Sequence, residues 1–262
     1  LAVCGAVLSF YMILQRFEKD PLIWLIKRTY PKFTWLQENH MIGLMGNPFQ
    51  ASASLAVLLP AISFQAFHSA RRKAWKAALC AGLYASWMAQ SASGFLAAMI
   101  GAFIASRKVK TIRSWIVLGI AGLIAIGLAQ VLSPNSLWDH GRLSIWKQSL
   151  HHIGRHPFLG VGLNQFKLLN ISYVPNNAYD VRWAHNEWIH FATELGILWT
   201  ILLALYMARE SVKLMRVHPA LLGCMVSSLT LSLFHIPWHL ASVLAVTGIC
   251  LSASHLEPRK GD

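Results

Sequence analysis

GRLSIWKQSLHHIGRHPFLGVGLNQF, Gly141 to Phe166, and AHNEWIHFATELGILW, Ala184 to Trp199, bracket a polar insertion in a chain that is otherwise apolar. Asp139 to Leu198 holds half of the 12 histidines. The runs on either side of it decide the fold. Of 262 residues, 55% are apolar and 13% charged, whereas a soluble domain carries about 25% charge. Several apolar stretches approach the roughly 20 residues that cross a bilayer. They are continuous rather than alternating, which argues against a β-barrel. The expected class is all-α: a polytopic transmembrane helix bundle, one integral membrane domain over residues 1–262.

Eight membrane segments are predicted. They are Leu1–Leu14, Pro48–Phe67, Ala74–Gln90, Gly94–Ser106, Ser114–Leu132, His185–Met207, Pro219–Ile236 and His239–Ser254. The third and fourth are short, broken at Ser91-Ala92-Ser93-Gly94, and could instead form one kinked helix. Asn47-Pro48 is a good helix start, with Asn as cap and Pro in the first position; Pro219 has the second role. The chain begins at Leu1 inside an apolar run, as a chain lacking an N-terminal part would.

Lys/Arg density in short loops sets the orientation. Arg71-Arg72-Lys73, then Arg107, Lys108, Lys110 and Arg113, then Arg209, Lys213 and Arg216, and Arg259-Lys260 alternate so that both termini face the cytoplasm. The 133–184 loop then lies outside. The net charge of +13 is this topology signal rather than a nucleic-acid footprint. The four cysteines sit inside apolar runs without metal-ligand spacing, as small core residues do. Trp138, Trp146, Trp183, Trp188 and Trp238 fall near outer boundaries, as an aromatic belt would.

Within the outer loop, Leu143, Trp146, Leu150 and Ile153 form one helical stripe. This predicts an amphipathic helix over 141–154, fit to lie in the membrane interface. Arg142 sits at the stripe's edge, where an arginine can reach phosphate depth. Pro157 ends the helix, and Gly160 and Gly162 then mark a tight turn or a close backbone approach. At the start of segment six, Asn186 is the expected N-cap, with His185 just outside the helix. Asn186, Glu187, His190, Thr193 and Glu194 span an arc of about 120°. Ionisable groups on a membrane helix are costly and face a cavity or a structural network. The histidine spacing points to no metal site: His185 and His190 share no face, and Pro157 spoils the His152/His156 pair.

Together GR-x3-W (Gly141, Arg142, Trp146), HPFLGVGLNQF and AHNEWIHFATELGIL resemble the O-antigen ligase/polymerase membrane family. HMIGLMGNPFQASASLAVLLP (His40 to Pro60) and QSASGFLA (Gln90 to Ala97) look like two further family stretches. The resemblance covers roughly residues 40 to 255. It implies a bacterial inner-membrane enzyme that takes a glycan from an undecaprenyl-diphosphate carrier on the periplasmic face, with no metal or other cofactor. The acceptor would be lipid A-core for a ligase, a glycan for a polymerase, or protein for an O-oligosaccharyltransferase; ligation is the first expectation. Arg142 would hold the diphosphate, a role suited to bidentate arginine. His185 would position the acceptor hydroxyl or take its proton. Glu187 follows as a catalytic candidate. Arg155, Arg182, Asn186, His190 and Glu194 are candidates for substrate binding.

Two departures stand out. Where the family's break carries an arginine after the serine, this chain has Ala92; Arg155 or Arg182 would have to replace that contact. Members also commonly have more crossings than this chain. The alternatives from other classes are a transporter, favoured by the polar stripe, and an inactive membrane scaffold, favoured by Ala92. Against the transporter, no internal repeat is visible.

Overall fold

A computed structural model describes residues 1–17, 19–20, 47–89, 91–106, 142–171 and 181–256. Among these residues there are nine α-helices and no strand. The helices are α1 (Ala2–Arg16), α2 (Pro48–His68), α3 (Arg72–Met88), α4 (Ala92–Ser106), α5 (Arg142–Arg155), α6 (Glu187–Leu195), α7 (Ile197–Val217), α8 (Pro219–Ser232) and α9 (Ala241–Ala253). Segment five and residues 133–141 and 172–180 of the outer loop lie outside the described residues. The chain divides into two compact units, Leu1–Val109 with Pro219–Ser227, and Lys110–His218 with Ser228–Asp262.

The first unit is built around α2. Asn47 caps it, its side chain accepting from the Phe49 amide at 2.8 Å, and Pro48 takes the first helical position. Both choices satisfy or remove amides that a helix start leaves unpaired. At 21 residues, α2 is about 31 Å long and is the one described helix long and apolar enough to cross a membrane. α1, α3 and α4 pack against it. Their small residues let backbones approach closely. A Cβ on Gly101 would sit 2.6 Å from the Gly223 carbonyl oxygen, and one on Gly223 2.5 Å from that of Gly101. Ser227 donates across the same seam to the Ala97 carbonyl, and Ser63 of α2 donates to that of Ala102 on α4, both at 2.8 Å. Small residues with hydroxyls donating to neighbouring backbones are the packing style of helices in lipid. α3 and α4 are separate helices, parted around residues 89–91.

The second unit carries the polar insertion. Segment six, expected as one helix, is two: α6 and α7 part at Gly196. The reason lies in residues 157–162. Val161 and Gly162 donate to the carbonyls of Thr193 and Glu194, both at 2.9 Å, and the Ile197 amide donates to Pro157 O at 2.7 Å. In a continuous helix those carbonyls would accept from residues 197 and 198. The HPFLGVG loop therefore replaces a turn of helix. Gly196 bends at φ 89° and Gly160 at φ 64° to allow it. Beyond the break, α7 exposes Leu198, Trp199, Ile201, Leu202 and Leu205. Its far end is charged, with Glu210 buried and Lys213 Nζ 2.8 Å from it.

The amphipathic helix exists as α5, but the expected stripe is not the one the protein buries. Arg142, Ile145, Ser149 and Ile153 are buried, while Leu143 and Leu150 are more than half exposed. Periodicity registers apolar residues without saying whether protein or lipid receives them. Ile145 packs with Phe166, Ile171, Val181 and Ala184 in a small core of its own.

Candidate functional site

α5 and α6 build the site together, both within the second unit. Trp146 ties them, its indole N–H donating to the Ala184 carbonyl at 2.8 Å. That bond brings the GR-x3-W helix to the residue before His185. It also anchors the chain at a non-glycine position of positive φ, His185 at 53°. Histidine tolerates the left-handed region better than most side chains, and ordered positions of this kind concentrate at functional sites. Asn186 caps α6 as expected, its Oδ1 accepting from the Ile189 amide at 3.0 Å. Its Nδ2 donates to Leu233 O, also at 3.0 Å, and so holds the turn after α8 against the start of α6.

The polar stripe of α6 is the helix's inner face: Glu187, His190, Thr193 and Glu194 are all buried. Glu194 is engaged by the protein itself. Its two oxygens accept from the amides of Asn164 and Phe166 at 2.9 and 3.0 Å, and His190 Nε2 lies 3.7 Å away. The carboxylate thus satisfies the backbone of the GVGLNQF turn. The His190 ring is packed between Phe166, Trp183 and His239, with centroids 4.8, 5.6 and 5.4 Å distant.

Arg142 begins α5 and is 7% exposed, an unusual depth for a guanidinium. Arg142 and His185 both lie within electrostatic reach of His235. Arg155, by contrast, ends α5, about 20 Å along the helix axis from Arg142, and is exposed. Arg182 is exposed as well. The structure gathers Arg142, His185, Asn186 and Glu187 around the start of α6 and does not bring Arg155 to them.

Compared with known proteins, the chain matches no family model and no curated sequence.

Two residues of this neighbourhood went unmarked in the sequence. His235 and His239 lie in the 233–240 connection between α8 and α9. His239 Nε2 stands 3.3 Å from Oε1 of the fully buried Glu187. Trp183 packs edge-on against the His239 ring at 4.5 Å. The available signal was topological: the turn between segments seven and eight falls on the same predicted side as the 133–184 loop. Trp188 and Trp238, expected as interfacial anchors, bond inward instead, donating to Ser232 and Ser228 at 2.8 Å. Among the described residues, no three His, Cys, Asp or Glu side chains cluster as a metal site would.

Chemically, the site pairs a buried cationic group with a buried carboxylate that meets a partly exposed imidazole. The first suits a multiply charged anion, the second a hydroxyl that must give up its proton.

Proposed function

We propose that this chain is a multi-pass membrane glycosyltransferase of the O-antigen ligase type. It would take a glycan from undecaprenyl diphosphate at the periplasmic face of a bacterial inner membrane and join it to lipid A-core. One observation carries the reading. The three stretches that resemble that family meet in one unit: Trp146 of the first bonds Ala184 of the third, and the HPFLGVG loop of the second closes the break after α6. Buried Arg142 begins α5, and it and His185 both lie within electrostatic reach of His235.

The chemistry follows from the leaving group. A diphosphate departing from an anomeric carbon develops negative charge, and a pre-placed guanidinium stabilises it. Arg142 holds that diphosphate in this reading, and His185 and Asn186 place the acceptor hydroxyl. Exposed Phe158, Leu159, Leu163 and Leu168, with Leu143 and Leu150, form an apolar surface that suits the bilayer interface where a polyprenyl carrier lies. α2 is long and apolar enough for one crossing; the eight-segment topology is part of this proposal.

Complementation of a ligase-deficient bacterium tests it, with lipopolysaccharide ladders as the readout. A restored ladder, lost again on Arg142→Ala or His185→Ala, is the expected result. Absence of a ladder from membrane-inserted protein shifts the acceptor to a growing glycan or a protein, and undecaprenyl diphosphate release then decides. Without that release, the transporter and inactive-scaffold readings replace this one.

A further inference from the structure

His239 Nε2 stands 3.3 Å from Glu187 Oε1. Glu187 is fully buried, and among the described residues neither of its oxygens makes a well-aligned hydrogen bond. A carboxylate in that position is costly unless a partner shares its charge, and His239 is that partner. Its side chain is 32% exposed, with Nε2 directed at the acid. Trp183 at 4.5 Å and His190 at 5.4 Å fix the ring plane.

We propose that Glu187 and His239 form the dyad that takes the acceptor's proton, while Arg142 holds the diphosphate and His185 and Asn186 place the acceptor hydroxyl. This division rests on the glycosyltransferase reading above and deepens it. With Nε2–H directed at Glu187, the Nδ1 lone pair is left for the incoming hydroxyl. The acceptor oxygen bonds to the sugar's anomeric carbon as the bond from that carbon to the diphosphate oxygen breaks. The diphosphate leaves with the bonding electron pair. The hydroxyl proton passes to Nδ1, and the imidazolium pairs with Glu187 until it returns the proton to water. Among the described residues, the ionisable groups seen to face His239 are Glu187 and His190, both on α6.

The test uses the full-length chain in lipid vesicles, with an undecaprenyl-diphosphate-linked glycan and lipid A-core, and reads release of undecaprenyl diphosphate. His239→Gln keeps a donor for Glu187 and removes the base. Its turnover is expected to fall about 100-fold with the donor KM within about threefold of wild type. Glu187→Gln keeps the shape and removes the charge, and its turnover is expected to fall at least about tenfold with the donor KM unchanged. A purely structural role would be met by the isosteric amide and leave turnover in place. Turnover within about tenfold of wild type in His239→Gln overturns the dyad while leaving the glycosyltransferase reading intact. A wild-type protein that releases no undecaprenyl diphosphate overturns both. If His239→Gln does not accumulate in membranes, the turnover of Glu187→Gln at unchanged donor KM decides.

Discussion

Gly196 is where loop and helix exchange hydrogen bonds, and its backbone allows no side chain. With φ at 89°, a Cβ there would collide with the Phe158 carbonyl. Gly196→Ala is expected to cost at least about 1–3 kcal/mol, the usual scale for a non-glycine residue forced into such a region. Gly154 is the internal control: it lies inside α5, and a Cβ there would meet nothing within 4 Å. Gly154→Ala is expected to stabilise by up to about 1 kcal/mol. Thermal unfolding of the two variants in detergent, side by side, checks both signs. Glu194 is a third test at this scale. Glu194→Gln turns one acceptor for the Asn164 and Phe166 amides into a donor facing a donor. A buried amide left unpaired costs about 1–3 kcal/mol. Faster proteolysis within 160–170, with α7 unaffected, is the expected result.

At the scale of the element, α5 offers a pH test. His152 on it is partly buried, and desolvation, then the charges of His151, Arg155 and His156, hold its pKa below the usual histidine value. A depressed histidine pKa means that the folded state prefers the neutral ring. Its contribution is therefore intact above the unfolded pKa, about 6.5, and is lost as pH falls through that value toward the folded one. Amide exchange in α5 should accelerate as pH falls below about 6.5, after correction for intrinsic exchange, and less so in His152→Gln. Equal pH dependence in both proteins would remove His152 as the cause. Elements also show what was legible. The caps at Asn47 and Asn186 and the start at Pro48 are local chemistry, decided within three or four residues. The polar stripe of α6 was legible for the same reason. The break at Gly196 was not, because carbonyls of α6 are taken by amides from 161–162, far away in sequence. Nor was His239, whose importance depends on Glu187 from another helix. α5 lies between these cases: its periodicity was visible, yet Ile145 rather than Leu143 or Leu150 enters the core.

For the whole molecule, the proposed multi-pass topology turns on which helices cross a membrane. α2 is long enough alone, whereas α3 and α4, with 17 and 15 residues, reach only about 26 and 23 Å. Each is shorter than the roughly 30 Å hydrocarbon core. Either both cross, with the bilayer thinned or charged ends reaching out to the headgroups, or the two share one crossing. The side on which Arg72 lies separates these cases, because Arg72 begins α3 and is exposed. The Lys/Arg rule places it in the cytoplasm when α3 and α4 cross separately. Leu159, 78% exposed in the insertion, gives the opposite reference point. In a background with Cys4 and Cys80 replaced by serine, since both are exposed, single cysteines at 72 and 159 report the two sides. Leu159→Cys is expected to react with an impermeant maleimide once the outer membrane alone is opened, and Arg72→Cys only after lysis. Reaction of both from outside means that α3 and α4 form one crossing, which inverts every segment before them. Reaction of neither from outside removes the insertion from the periplasm, and with it any access of Arg142 to a donor presented there.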